Sequence, residues 1–432
     1  VSLQQVDYAA FAPLQKRTLK VLALAQIFSG LGSGAVISVG ALLAVKLSGN
    51  ESWGGSMTTV MTLGSALAAM PLARYAASKG RRIALVTGIA IAWMGTMLAI
   101  LSAVLGAFPL LLAGGALIGV GSAVNLQARF AATDLAAPEH RSRDLSLVVW
   151  TTTVGSVAGP NLLGVGDSLG QAMNLPQYAG IFVISAVGMA ASALVLFIGL
   201  NPDPSLELAK ASAASGSAPG GPAAPPRRPS LRESWKVIRA NQAARAGLVA
   251  IICGHAIMVS VMSVTSVHMD NHGVSLQLIG FTISLHVVGM YAFSPFAGML
   301  SDKIGAPGAM VTGGAVLLTS LGFAGFGAEN QTLVTIGLFL LGLGWSIATI
   351  AGAGHIAANV SAEDRLAVQG ASDTLMSLAG ALGGLVAGIA LALVGYQGLN
   401  AVAAVVAVIL IMVTLTLHRN TPKDSARELE NV

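Results

Sequence analysis

Residues 202–229, PDPSLELAKASAASGSAPGGPAAPPRRP, decide how the rest of the chain is parsed. The stretch is dense in Pro, Ala, Gly and Ser and has no periodic apolar positions, the composition of a flexible connector. On either side lie apolar runs long enough to cross hydrocarbon, which takes roughly 20 residues of helix. Six precede it, at about 20–45, 54–78, 83–105, 109–133, 145–169 and 176–200. Six follow, at about 246–269, 275–300, 307–328, 330–358, 366–394 and 397–418. The expected fold is an all-α membrane protein of twelve transmembrane helices in two six-helix bundles. Its expected parts are a first bundle at 1–201, a linker at 202–244, a second bundle at 245–418 and a tail at 419–432.

Composition supports this parsing. Of 432 residues 54% are hydrophobic and only 9% charged, against about a quarter charged in soluble domains. Twelve spans leave almost no chain for a soluble domain. The 52 glycines suit close helix packing in lipid; none forms a phosphate loop, because no strand precedes them and no Lys follows. The single cysteine, Cys253, excludes an intramolecular disulfide and a Cys-pair metal site. The first run is too long for a signal-peptide core and reads as span 1.

Cations set the expected topology. Of 23 Lys and Arg, only Lys46 lies in a connection from an odd-numbered span to the next. The positive-inside rule then puts both termini in the cytoplasm, and the expected location is a bacterial inner membrane. The basic balance reflects anchoring to lipid headgroups and calls for no nucleic-acid partner. After the linker, SLRESWKVIRA (230–240) places Leu231, Trp235 and Ile238 on one helix face and Arg232, Lys236 and Arg239 on the other, as in a helix lying on the membrane surface.

The halves repeat at an offset of about 224 residues. GVGSAV (119–124) answers GLGWSI (342–347), and APEHR (137–141) answers SAEDR (361–365). Between spans 8 and 9, GMLSDKIG (298–305) resembles the Gly-x-Leu-x-Asp-Lys/Arg-x-Gly loop of the major facilitator superfamily, whose halves rock about a midplane site. In that family the loop acid caps a helix end and holds a gate. The first-half loop, PLARYAASKGRR (71–82), keeps Gly80, Arg81 and Arg82 but has no Asp. GSVAGPNLLG (155–164) is similar to the family's Gly-x-x-x-Gly-Pro motif in span 5. The expected gating set is Asp302, Lys303, Gly80, Arg81, Arg129, Asp134, Arg141 and Arg365.

Spans 7 and 8 carry soft ligands. Met258 and Met262 lie roughly 12 to 18 Å from the outer end of span 7, and His286 and Met290 roughly 16 to 23 Å from that of span 8, at 1.5 Å per residue. All four fall in one central layer. Each pair is spaced i, i+4 and shares a helix face, and His255 joins Met258 and Met262 at i, i+3, i+7. Thioethers select Cu(I), and imidazole suits copper; spans 7 and 8 have no interior Asp or Glu for Mg, Mn or Ca. Methionines are equally ordinary packing residues, and Met57 and Met61 repeat the spacing. The spacing is similar to that of the CcoA-type copper importers, a branch of the superfamily. That resemblance implies that Met258, Met262, His286 and Met290 bind copper as transported substrate, with no resident cofactor. It also implies delivery toward haem-copper oxidase, and a cytoplasmic copper chaperone as partner. The same wider group includes riboflavin transporters, so a planar organic cargo stands as the alternative.

Other polar residues complete the expectations. His268, Met269 and His272, beside Asp270, read as an entry collector at the outer end of span 7. Asp373 in span 11 is a candidate for proton coupling or for pairing with Arg129. Gln26, Trp150, Asn161, Trp345 and His355 are candidate cavity residues for an organic solute. An intramembrane hydrolase, with Ser260 or Ser284 near His255 or His286, lacks a nucleophile elbow or a His-Glu-x-x-His pattern, and no enzyme activity is expected.

Overall fold

The computed structural model describes residues 8–136, 141–214 and 231–419. No strand occurs among them, as expected where hydrocarbon leaves every backbone polar group to be satisfied within its own helix. The helices are α1 (Ala12–Ser48), α2 (Ser56–Lys79), α3 (Arg81–Leu105), α4 (Phe108–Ala131), α5 (Arg141–Asn161), α6 (Leu163–Ala172) and α7 (Ala179–Gly199). After them come α8 (Pro204–Ala214), α9 (Leu231–Ala240), α10 (Gln242–Asn271), α11 (Leu276–Tyr291), α12 (Ser294–Phe326), α13 (Gln331–Asn359) and α14 (Ala362–Arg419).

Among the described residues nine helical stretches are long and apolar enough to cross a membrane. The last of these is interrupted at Gly395, with φ +70° and ψ 179°, and holds two spans. Spans 5 and 8 are each built from two pieces, α5 with α6, and α11 with the part of α12 that precedes its interruption at Gly305. The division accommodates the twelve expected spans. Proline accounts for both broken spans: Pro160 sits in the last turn of α5, and Pro295 in the first turn of α12. Pro295 also denies the Tyr291 carbonyl its helical donor, and the Ser294 hydroxyl donates to that oxygen instead, at 2.7 Å.

Two stretches differ from expectation. Residues 202–229 are not all irregular, because Pro204–Ala214 forms α8. Pro stands at its first position, and Leu, Glu, Ala and Lys, all good helix formers, fill it. In α9 the expected apolar face divides: Trp235 is exposed, whereas Ile238 is buried with Ala244, Leu248, Ile251, Ile356, Val360, Val368 and Ala371. Burial of Ile238 in that cluster anchors α9 to α10, α13 and α14 and leaves Lys236 and Arg239 exposed.

The chain forms two compact units. The first comprises Val1–Arg227, Met262–Val287 and Ala381–Leu393; the second comprises Arg228–Val261, Val288–Gly380 and Val394–Val432. In the first unit α2 and α4 approach so closely that a Cβ on Gly119 would lie 2.0 Å from the Met61 carbonyl oxygen. Small residues serve here because lipid supplies no hydrophobic drive between helices, so close backbone contact must hold them. Gly119→Ala should therefore destabilise the protein by about 2 kcal/mol or more. Gly322→Ala, at a helical glycine with no atom within 4 Å of its would-be Cβ, should be neutral or stabilising by up to about 1 kcal/mol. Thermal unfolding of the two variants in detergent checks the contrast.

Candidate functional site

In the second unit, α10 and α13 bring His255 and Trp345 together. The indole Nε1–H of Trp345 donates to His255 Nδ1 at 3.1 Å, with ring centroids 6.0 Å apart. With Nδ1 as acceptor, the neutral imidazole carries its proton on Nε2. Gly380 gives that edge room, since a Cβ there would lie 2.8 Å from His255 Nε2. Tyr291 packs edge-on to Trp345 at 6.1 Å, and Phe293 packs edge-on to Phe339 at 5.6 Å. Tyr291 and Phe293 flank the α11–α12 break, so the Pro295 interruption is also what presents these two rings. This is a half-buried aromatic platform with one imidazole N–H edge, suited to a flat, heteroatom-bearing solute.

The first unit holds a separate amide and hydroxyl cluster. Gln26 Nε2 donates to the Asn125 carbonyl at 3.4 Å, and the Ser29 hydroxyl to Asn125 Oδ1 at 3.3 Å. Beside them lies a void of about 10 Å³, lined also by Ser192 and Leu196, near the size of one water. Of the other candidate cavity residues, Trp150 is exposed, and Asn161 joins α5 to α11. Asn161 Nδ2 donates to Ser284 Oγ at 2.7 Å, while Ser284 Oγ donates to the Val157 carbonyl at 2.8 Å. Ser284 is thus committed to helix packing. His355 lies beside Asn359, 3.4 Å from its amide.

The soft-ligand series is placed as follows. His286 is fully buried, Met258 and Met290 are buried, and Met262 is half-buried. His255 would have to give up its Trp345 bond, or its Nε2 proton, to ligate a metal. Met57 and Met61, with the same spacing as Met258 and Met262, are buried in packing: a Cβ on Gly115 would lie 2.7 Å from Met57 Sδ. No group of three or more His, Cys, Asp or Glu suited to a metal occurs among the described residues. Of the collector residues, His268 and His272 come together, their rings 4.3 Å apart and His272 Nδ1 2.8 Å from the His268 carbonyl. Met269 is buried away from solvent.

At the end of the first unit that carries α8, here the linker end, Arg81 makes a two-pronged pair with Asp134, at 2.9 and 3.2 Å, and reaches Gln127 at 3.3 Å. This pair ties α3 to the segment after α4 within one unit. Asp302, Lys303, Arg129 and Asp373 are exposed. Arg141 and Arg365 stand near helix starts, and their side chains lie outside the described residues, as do residues 137–140.

The opposite, far end of the first unit is closely packed. Thr59 Oγ1 donates to the Ala381 carbonyl at 2.9 Å, and Cβ atoms on Gly55 and Gly388 would lie 1.5 Å from the Gly384 oxygen and 2.2 Å from the Ser52 oxygen. The Tyr178 hydroxyl donates to Asp270 at 2.9 Å, and Asn271 Nδ2 to Glu51 at 2.7 Å. Sequence reasoning did not find Tyr291, Tyr178, Gly380 or Asp203. The signal for Tyr291 was Pro295 four residues on; the others are tertiary pairings with no local pattern.

Helical spans, two of them broken, make up an all-α membrane architecture. A family model of the Major Facilitator Superfamily matches residues 22–275 and 249–431, and the chain belongs to that superfamily. It is a multi-pass membrane protein and not an enzyme. The uncharacterised MFS-type transporters YdeG and YddS of Bacillus subtilis (strain 168) are each 34% identical, over 93% and 94% of this chain and 92% of their own lengths. The riboflavin transporter RfnT of Brucella anthropi is 27% identical over 96% of this chain and 99% of its own. The fold is similar to a bacterial homologue of the human lysosomal transporter Spinster, with TM-score 0.73, 16% identity and coverage of 94% and 96%. It is also similar to the nucleoside transporter NupG, with TM-score 0.72, 13% identity and coverage of 94% and 100%.

The far-end contacts leave no room for a side chain at Gly388. Gly388→Val should hold that end apart. In a Cys253→Ser background, a cysteine placed by Ala381→Cys, a position 3% exposed, should resist a membrane-impermeant maleimide and become reactive once Gly388→Val is added.

Proposed function

We propose that this chain is an uptake carrier for a flat heteroaromatic solute of the riboflavin kind, working by alternating access in a bacterial inner membrane with the linker end and both termini in the cytoplasm. The observation that carries the reading is the Trp345–His255 hydrogen bond with Tyr291 edge-on to the indole. It supplies a stacking surface and a directed N–H donor, which together match a fused ring with acceptor atoms on its edge. The 27% identity to a riboflavin transporter over nearly the whole of both chains supports the same class of cargo. The distribution of Lys and Arg supports the orientation.

Copper import is the second reading, favoured by the Met258, Met262, His286 and Met290 series in one membrane layer. In that reading His268 and His272 collect the ion, Cu(I) passes by exchange between thioethers, and a cytoplasmic chaperone receives it. It ranks second because Met57 and Met61 share the spacing in a packing role, and because His255 Nδ1 is engaged by Trp345.

One uptake experiment separates the two readings. Cells unable to make or import riboflavin, expressing this chain, should take up riboflavin saturably. An aromatic stack contributes about 0.5–1.5 kcal/mol, so Trp345→Ala should raise the half-saturating concentration by about two- to tenfold, while Met258→Leu leaves it unchanged. Radioactive copper uptake that Met258→Leu abolishes, without riboflavin uptake, would reverse the ranking. Uptake of neither would overturn both cargoes and leave the transporter class intact.

A further inference from the structure

The first-half loop lacks the acid of its second-half counterpart. Aligning Gly80 with Gly305 puts Ala77 where the second half has Asp302. The two glycines adopt the same left-handed turn, φ +90° and ψ 166° at Gly80, φ +77° and ψ 154° at Gly305. The turn is kept and its carboxylate is missing.

A carboxylate nevertheless occupies the joint, and it comes from 123 positions further along the chain. Asp203, just after α7, is 9% exposed. Its Oδ2 accepts from the backbone N–H of Arg82, in the first turn of α3, at 2.7 Å. Its Oδ1 accepts from the Ser205 N–H at 3.0 Å, the Ser205 hydroxyl at 2.7 Å and the Leu206 N–H at 3.3 Å, in the first turn of α8. One buried anion thus caps two helix N-termini, where unpaired N–H groups and the helix dipole both favour negative charge. A Cβ on Gly80 would lie 2.5 Å from Asp203 Oδ2, so the turn glycine is also what admits the carboxylate. Beside it Arg82 Nε donates to the Phe197 carbonyl at 2.7 Å, with its guanidinium carbon 4.5 Å over the Phe197 ring. Arg81 turns the other way, to Asp134.

We propose that Asp203 supplies, from the end of the sixth span, the loop acid that the first half lacks, and that it ties the start of the linker to the α2–α3 turn. Asp203 is then a positioning residue for the transport cycle: it touches no cargo and holds the joint about which the ends of α2, α3 and α7 are registered. A narrower role, capping α8 alone, makes different predictions, because an acid restored at position 77 could serve α3 but not α8.

The test is hydrogen exchange on the purified full chain in detergent, which is independent of cargo. Asp203→Ala should speed exchange of the amides at the start of α3 by about tenfold, the effect of losing one cap, and should free α8 as well. Adding Ala77→Asp should restore protection at α3 while α8 stays unprotected. Uptake, measured with riboflavin as probe, should fall in Asp203→Ala and recover in the double variant. Unchanged exchange at α3 in Asp203→Ala would overturn the proposal, as would failure of Ala77→Asp to restore it. If riboflavin proves not to be a substrate, the exchange result still decides the role of Asp203.

Discussion

Close backbone approach between helices is the constraint on which this structure rests. Two helices in hydrocarbon gain nothing by hiding apolar side chains from lipid that is equally apolar, so association falls to dispersion and to polar contacts. The first unit shows how far this goes: the α2–α4 crossing at Gly119 and the far-end crossing at Gly388 each place a carbonyl oxygen where a Cβ would be. The 52 glycines are therefore structural requirements at particular crossings and slack elsewhere, as at Gly322.

The polar contacts follow from the same solvent. Breaking a helix in hydrocarbon frees carbonyls that water cannot reach, and side-chain donors gather at the breaks. Ser294 answers the Tyr291 carbonyl that Pro295 leaves without a donor, and beside the α5–α6 break the Asn161 and Ser284 side chains both donate to the Val157 carbonyl. The breaks are thus stable features. They let span 8 present Tyr291 to Trp345 and Phe293 to Phe339, and let span 5 lock onto α11 through the tight Gly280–Pro160 contact.

Much of the fold was legible in the sequence, because hydropathy over 20 residues is a strong signal. The all-helical membrane architecture and the superfamily loop motif could be read directly. The α8 helix was missed because its Ala and Ser content matches that of the sequence after it, although Asp203 and Pro204 at its start and Leu206, Glu207, Leu208 and Lys210 within it are helix signals. The site was less legible. His255 was noticed as a member of a methionine face, but its bond to Trp345 joins residues 90 positions apart. Burial is common to both roles a methionine can take here. A buried thioether that packs and one that ligates have the same spacing along a helix, and Met57 demonstrates the first case.

The two halves show which part of a repeat the physics holds fixed. At both turns the backbone reverses between one span and the next at a positive φ that L side chains rarely adopt, and Gly80 and Gly305 meet this demand with nearly the same dihedral angles. The negative charge that a following helix start favours is a different kind of demand. It is set by position in space, within hydrogen-bonding reach of the first free N–H groups, and is indifferent to which segment delivers the carboxylate. The first half can therefore lose its loop acid without losing the charge, because the chain leaving α7 passes the same turn and Asp203 lies within 2.7 Å of the Arg82 amide. A motif read along one strand of sequence records the first demand faithfully and the second only when donor and acceptor happen to be neighbours.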